Sequence, residues 1–299
     1  MANKIGWTEQ TWNPVIGCEK ISIGCSRCYA EQFAKRLVNN PNPKISDKYL
    51  SVISPNGWTG KTHLEKSELD KPFKWKKPKM IFVESMGDLF HKSVKVDWIA
   101  QVFATIFLNE RHTFQILTKR PDIALSVFES KRFKEYLHKY CNQLHDKYIK
   151  TLESELYFYD EIMSLWPFKN CWFGTTVENQ EYANKRIPIL LKIPAAKRFI
   201  SCEPLLDQVD LKNIQQFNSE SEHIASYQVL EPIFNCGDSS RPALDLVICG
   251  PETGTKARPM QKEWIELLFS QCKAANVPFF DKKNILGLTL NNFQNGKNV

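Results

Sequence analysis

From residue 80 onward the chain repeats one pattern: a short apolar run, a cluster of polar or charged residues, then a stretch with apolar positions at helical spacing. The runs are Met80–Val83, Phe114–Leu117, Cys171–Gly174, Arg198–Ser201, Leu246–Cys249 and Val277–Phe280. Nearly unbroken apolar runs of this length suit strands covered on both faces, as in parallel sheets. Between them, Trp98, Ile99, Val102, Phe103, Ile106 and Phe107 form one apolar helical face, with Asp97 placed to cap it. Trp264, Ile265, Leu267, Leu268 and Cys272 form another, and Tyr182–Leu191 predicts a third helix.

Repeated strand-then-helix units predict a parallel sheet with right-handed crossovers. With one more strand expected before or within Trp7–Ile16, the fold class is α/β: a partial or full parallel (β/α) barrel, TIM-barrel-like, with helical insertions. One barrel-like domain is expected over residues 1–289, interrupted by insertions at about 122–169 and 212–243 and followed by a flexible tail, 290–299. The first insertion predicts two or three helices; the second, rich in Ser, Asn and Gln, predicts an added segment or mobile loop. Ligands of barrels and open parallel sheets bind at the C-terminal strand edge, where this chain gathers its polar residues.

Composition narrows the class. Hydrophobic residues are 42% and charged residues 24%, as in water-soluble globular proteins. No apolar run approaches the roughly 20 residues of a membrane helix, and the N-terminus lacks the apolar stretch of a secretory signal. A cytoplasmic protein with no membrane partner is expected. The nine cysteines are an odd number, which argues against a disulfide framework. Cys171, Cys202 and Cys249 fall in apolar runs and read as buried core residues. The net charge of +7 leaves a nucleic-acid partner open. The densest basic stretch, Lys71–Lys79, interleaves Phe73 and Trp75 with lysines, a pattern that suits base stacking or a solvated loop before a strand.

The chemistry gathers near the N-terminus, where Cys18, Cys25 and Cys28 follow C-x6-C-x2-C spacing. Structural zinc usually takes four ligands. Three thiolates suit a [4Fe-4S] cluster with one iron left open, and Cys25-x2-Cys28 has the short spacing of cluster-binding runs. Gly17 and Gly24 let the loop bend, and Lys20 and Arg27 offset thiolate charge. Zinc completed by a distant His or Cys, with His63 and His91 among the candidates, and three metal-free thiols are the alternatives.

Several segments together resemble a phage-type three-cysteine family of radical-S-adenosylmethionine-like proteins. They are Thr11–Pro14 with Gly17-Cys18, then Gly24-Cys25-x2-Cys28-Tyr29-Ala30-Glu31, Ser85–His91, Leu117–Pro121, Val177–Asn179 and Arg186–Pro188. Glu203–Leu206, Val209–Leu211, Ala257–Pro259 and Val277–Phe280 extend the resemblance over nearly the whole chain outside the two insertions. It implies a partial barrel with a [4Fe-4S] cluster in the loop after the first strand. The open iron would chelate S-adenosylmethionine, and an electron would cleave its C–S bond to give a 5′-deoxyadenosyl radical that attacks an unknown substrate. The usual radical motif has three residues in its first gap, where this chain has six.

On the same resemblance Glu84, Ser85, Gly87 and Asp88 stand where such enzymes hold the cofactor; read locally, they also suit a capping turn. Lys119 and Arg120 follow the third strand and could grip a carboxylate or phosphate, or form an ion pair. Glu178, Glu203 and Glu252 follow later strands and suit a ribose, a cation or acid–base work around one pocket. Lys119 and Glu203 are the catalytic candidates; Glu84, Ser85, Gly87, Asp88, Glu178 and Glu252 are the cofactor candidates. A separately encoded protein partner is a further implication. The competing function is a non-catalytic metal-binding protein, with zinc or an iron–sulfur cluster, that binds nucleic acid or a protein.

Overall fold

The computed structural model describes residues 5–148, 159–218, 223–231, 233–234, 240–241, 243–254 and 256–287. Seven strands form one sheet: β1 (Gln10–Trp12), β2 (Met80–Val83), β3 (Thr113–Thr118), β4 (Cys171–Thr176), β5 (Lys197–Cys202), β6 (Leu246–Cys249) and β7 (Phe279–Asp281). Their order across the sheet is their order in the chain. The pairings β1–β2, β2–β3, β5–β6 and β6–β7 are parallel. A doubly wound sheet reverses its order at a switch point; this one does not, which makes it a singly wound α/β partial barrel. β1 and β7 stand at opposite ends of the order.

The chain divides into two compact units, Met1–Phe173 with Ile193–Ala196, and Gly174–Lys192 with Lys197–Val299, the boundary falling inside β4. In the first unit, helices α1 (Tyr29–Leu37), α2 (Val96–Phe107), α3 (Pro121–Glu129) and α4 (Lys131–Tyr148) accompany β1, β2 and β3. Helix α2 buries the predicted face through Ile99, Val102, Phe103 and Ile106. Its cap is Lys95, not Asp97, which lies in the first turn where its charge favours the helix dipole. Phe103 meets Phe128 and Phe133 edge-on, at 5.1 and 5.7 Å between ring centres, and Trp166 closes the group. The insertion at 122–169 thus supplies helices, as expected, and a third short one covers Tyr159–Ser164.

In the second unit, α5 (Gln180–Leu190) and α6 (Lys262–Ala274) stand close to their predicted places. The Asn179 side chain caps α5 by accepting from the Tyr182 amide at 3.1 Å. The second insertion, expected as an added segment or a mobile loop, holds paired strands among its described residues. Ile214–Asn218 pairs antiparallel with His223–Tyr227, and Ile233–Phe234 with Ser240–Arg241. Polar amide residues hid this hairpin, because strand pairing there uses backbone groups and little apolar alternation. The expected flexible tail lies outside the described residues. Cys171, Cys202 and Cys249 are buried, as read from their apolar runs. Among the described residues no helix is long and apolar enough to cross a membrane.

One glycine fixes the chain path to the cysteines. Gly17 is buried at φ +108°, where a β-carbon would collide with the Lys61 carbonyl and press on Val52. Gly17→Ala is expected to destabilise the protein by about 2–4 kcal/mol through backbone strain and overpacking, measured as a lowered urea midpoint.

Candidate functional site: the cysteine loop

After β1 the chain turns at Asn13-Pro14 and pairs Val15–Ile16 antiparallel with His63–Leu64. Gly17 then bridges to Gly87 just beyond β2. Cys18 follows, Cys25 ends a short 3-10 turn (Ile23–Cys25), and Cys28 is the cap residue of α1. The three cysteines therefore occupy the loop after the first strand, as predicted.

The end of β2 holds this loop in place. The Glu84 carboxylate accepts from the Val15 amide at 2.9 Å. Asn13 Oδ1 accepts from the Ser85 hydroxyl at 3.1 Å and the Met86 amide at 2.9 Å. The Tyr29 hydroxyl donates to the Ser85 carbonyl at 2.9 Å. A β-carbon on Gly87 would stand 3.0 Å from the Gly17 carbonyl oxygen, so the close approach that Gly87 permits is made by the cysteine loop itself. Asp88 is fully engaged: its carboxylate accepts from Thr118 Oγ1 at 2.7 Å, the Phe90 amide at 3.0 Å, the Lys119 amide at 3.1 Å and Arg120 Nη1 at 2.8 Å. The four residues expected to hold a cofactor thus commit these groups to the loop and to the end of β3.

The end of β3 reaches the thiols. Arg120 Nη1 lies 3.9 Å from Cys18 Sγ and its Nη2 donates to the Glu19 carbonyl at 3.3 Å. Lys119 Nζ donates to Ser22 Oγ at 3.0 Å, and Ser22 Oγ lies 3.4 Å from Cys25 Sγ. The thiols differ in acidity. Burial, with Asp88 adding to it, pushes Cys18 up to about 12 despite Arg120. Burial also raises Cys28. Burial acts the same way on Cys25, but Lys119 and hydrogen bonds from Ser22 and Ile21 outweigh it and leave that thiol below its ordinary value. Cys18 and Cys28 each feel the Cys25 charge, so the three groups are electrostatic neighbours.

Three free thiols on one loop, backed by a lysine and an arginine, are the donor chemistry a [4Fe-4S] group requires. Among the described residues no group of three or more His, Cys, Asp or Glu is arranged to hold a metal ion as it stands, so ligation needs the sulfurs drawn together. The two histidines considered for zinc have other surroundings. His63 is exposed on its short strand. His91 is buried in a turn, its Nδ1 2.9 Å from Ser93 Oγ and its Nε2 3.7 Å from Glu19.

In the second unit, each predicted carboxylate has a cation. Glu178, after β4, is buried against Arg186 at 2.7 Å. Glu252, after β6, takes Arg258 Nη2 at 2.5 Å and the Arg258 amide at 2.8 Å. Glu203, after β5, pairs with Lys282, which follows β7. Glu178 also acts on Arg258, so two of the three carboxylates share one electrostatic neighbourhood. The expectation of three carboxylates open to a ligand becomes three acid–base pairs. Their partner cations Arg186, Arg258 and Lys282 were not singled out from the sequence; Arg186, eight residues beyond Glu178 on the next helix, was the most accessible to such reasoning.

The basic stretch Lys71–Lys79 does not offer its rings for stacking. Phe73 stacks on Tyr148 at 4.1 Å, and Trp75 meets His112 edge-on at 5.9 Å. It also leads into the start of β2, at the sheet edge opposite the cysteine loop.

These features define an α/β partial-barrel protein with a three-thiol loop after its first strand. The chain matches, over residues 2–287, the family described as Protein of unknown function (DUF5131), and it belongs to that family. No curated protein and no solved structure matches it.

Two outcomes follow from the site. In metal-free protein, alkylation titrated against pH and read by peptide mass should occur at Cys25 at lower pH than at Cys18 or Cys28, and Lys119→Ala should shift the Cys25 midpoint upward. Glu84 is wholly buried, and burial, with Asp88 adding to it, holds its carboxyl well above the usual range. The folded state therefore keeps a proton that the unfolded chain releases near pH 4.3. That contribution to stability is full below the unfolded value and is lost as pH rises toward the folded one. Urea unfolding of wild type should show this decline with rising pH, and Glu84→Gln should flatten it.

Proposed function

We propose that this protein is an iron–sulfur enzyme of radical-S-adenosylmethionine-like type, acting in the cytoplasm on a substrate still to be identified. The observation that carries the reading is the three-thiol loop after β1, flanked by Lys119 and Arg120 from the end of β3. Cys18, Cys25 and Cys28 would hold the [4Fe-4S] group and leave one iron open. When bound, such a group supplies the electron that cleaves the sulfonium C–S bond of S-adenosylmethionine and starts radical chemistry.

The chain's own residues have separable tasks in this reading. Arg120 offsets thiolate charge at Cys18, and Lys119 does so at Cys25. The Lys119 ammonium, joined to the loop through Ser22, is the candidate cation for a carboxylate of the cofactor or substrate. Glu84, Ser85, Gly87 and Asp88 act as positioning residues for the loop. Glu203 with Lys282, and Glu178 and Glu252 with their arginines, are candidates for exchanging an internal ion pair for contacts to a polar ligand, with Glu203 available for proton transfer.

Protein purified without oxygen should contain about four irons and four sulfides per chain, both lost from the Cys18→Ala/Cys25→Ala/Cys28→Ala variant. With dithionite it should convert S-adenosylmethionine to 5′-deoxyadenosine. One zinc and no iron would overturn the reading and favour a metal-stabilised binding protein.

A further inference from the structure

The cysteine loop and α1 expose several large side chains to solvent. Tyr29 is 51% exposed and Phe33 40%, with Ile21 at 38% and Ile23 at 44% beside the cysteines. Tyr29, Gln32, Phe33 and Arg36 recur at the spacing of one face of α1, and all four are exposed. The two rings stand one helical turn apart. The Tyr29 ring is tethered by its hydroxyl to the Ser85 carbonyl, and the Arg36 guanidinium stands 5.9 Å from the Phe33 ring centre.

The charge around this stripe has one sign. Lys20, Arg27 and Arg36 are exposed, while the acid of α1, Glu31, is buried and paired with Lys20 at 3.1 Å and Lys35 at 3.7 Å. Glu19, at the start of the loop, is paired with Lys92 at 3.0 Å. Exposed planar rings, one of them tethered through its hydroxyl, with an exposed amide and a cationic border complement a flexible polyanion with planar bases. An acidic protein would share the charge complementarity and would bury the rings as apolar anchors; the polyglutamate competition and the salt slope below separate that outcome from base stacking.

We infer that the exposed face of α1, with Tyr29 and Phe33 as stacking rings and Arg27 and Arg36 as phosphate contacts, binds a single-stranded polynucleotide beside the cysteine loop. The inference rests on the reading of that loop as the reactive centre for making the strand a substrate; the binding itself does not require the cluster. Tyr29 adjoins Cys28 in the chain, so a base on its ring would lie next to the thiols.

The test is fluorescence anisotropy of the metal-free protein with labelled oligothymidylate and oligouridylate, which separates DNA from RNA, across a salt series. Wild type is expected to bind at least one of them. Tyr29→Ala/Phe33→Ala should weaken binding at least tenfold with the salt slope kept, because each stacked base is lost without a change of charge. Tyr29→Phe/Phe33→Tyr should retain affinity. Arg27→Ala/Arg36→Ala should reduce the slope of log K against log salt by about 1.4, two phosphate contacts at roughly 0.7 each. Urea midpoints matched to wild type establish that the variants fold. Absence of binding to both oligonucleotides, or affinity unchanged in the ring variant, would overturn the inference. Equal competition by polyglutamate would also overturn it, by showing a general anion surface. Because the assay is done without metal, its failure is distinct from a failure to find iron.

Discussion

The buried ion pair between Asp88 and Arg120 is the constraint on which the cysteine loop depends. A carboxylate taken out of water is tolerated only when its lone pairs are satisfied. Asp88 meets that condition with two backbone amides, one hydroxyl and one guanidinium. The residues it gathers, Thr118, Lys119 and Arg120, are those that turn the chain from β3 toward the thiols. Removing one partner of such a pair leaves an uncompensated charge at a cost of about 3–5 kcal/mol. It would also release Arg120 from Cys18 and loosen the backbone that carries Lys119. Stability and thiol chemistry are thereby joined in one carboxylate.

Around that pair the sequence is economical with space. Gly17 and Gly87 allow two backbones to approach where any side chain would intervene. Asn13 and Ser85 then join the loop to the end of β2 by hydrogen bonds between residues far apart in sequence. The glutamates of the second unit follow another scheme, each having a nearby cation. Pairing satisfies these carboxylates without opening the fold to water, and leaves Arg258 and Lys282 partly accessible.

Much of the fold was legible because continuous apolar runs have few other uses. Met80–Val83 and Leu246–Cys249 were read at their observed limits, and the neighbouring strands differed at their ends. The hairpin Ile214–Asn218 with His223–Tyr227 was not legible, since neither sequence run alternates apolar and polar residues. At the site, the cysteines and the residues at the ends of β2 and β3 could be named from sequence. Their tasks could not. Nothing in Glu84–Asp88 distinguishes a group aimed at a ligand from one aimed at Val15 or Arg120; that depends on contacts between segments tens of residues apart. The same limit concealed Arg258 and Lys282 as partners. It also made Lys71–Lys79 resemble a stacking surface until Tyr148 and His112 were found against its rings.

The cysteine loop is clamped at both ends, by the Gly17–Gly87 bridge before Cys18 and by the Tyr29–Ser85 hydrogen bond just after Cys28. In small metal-dependent domains, ligation and folding are a single event, and chelation unfolds the chain. Here the fold already fixes both ends of the loop before any ion arrives. On the proposed reading, occupancy and global folding would be separable: a group held by these thiols would be removed or rebuilt on a scaffold that folds without it.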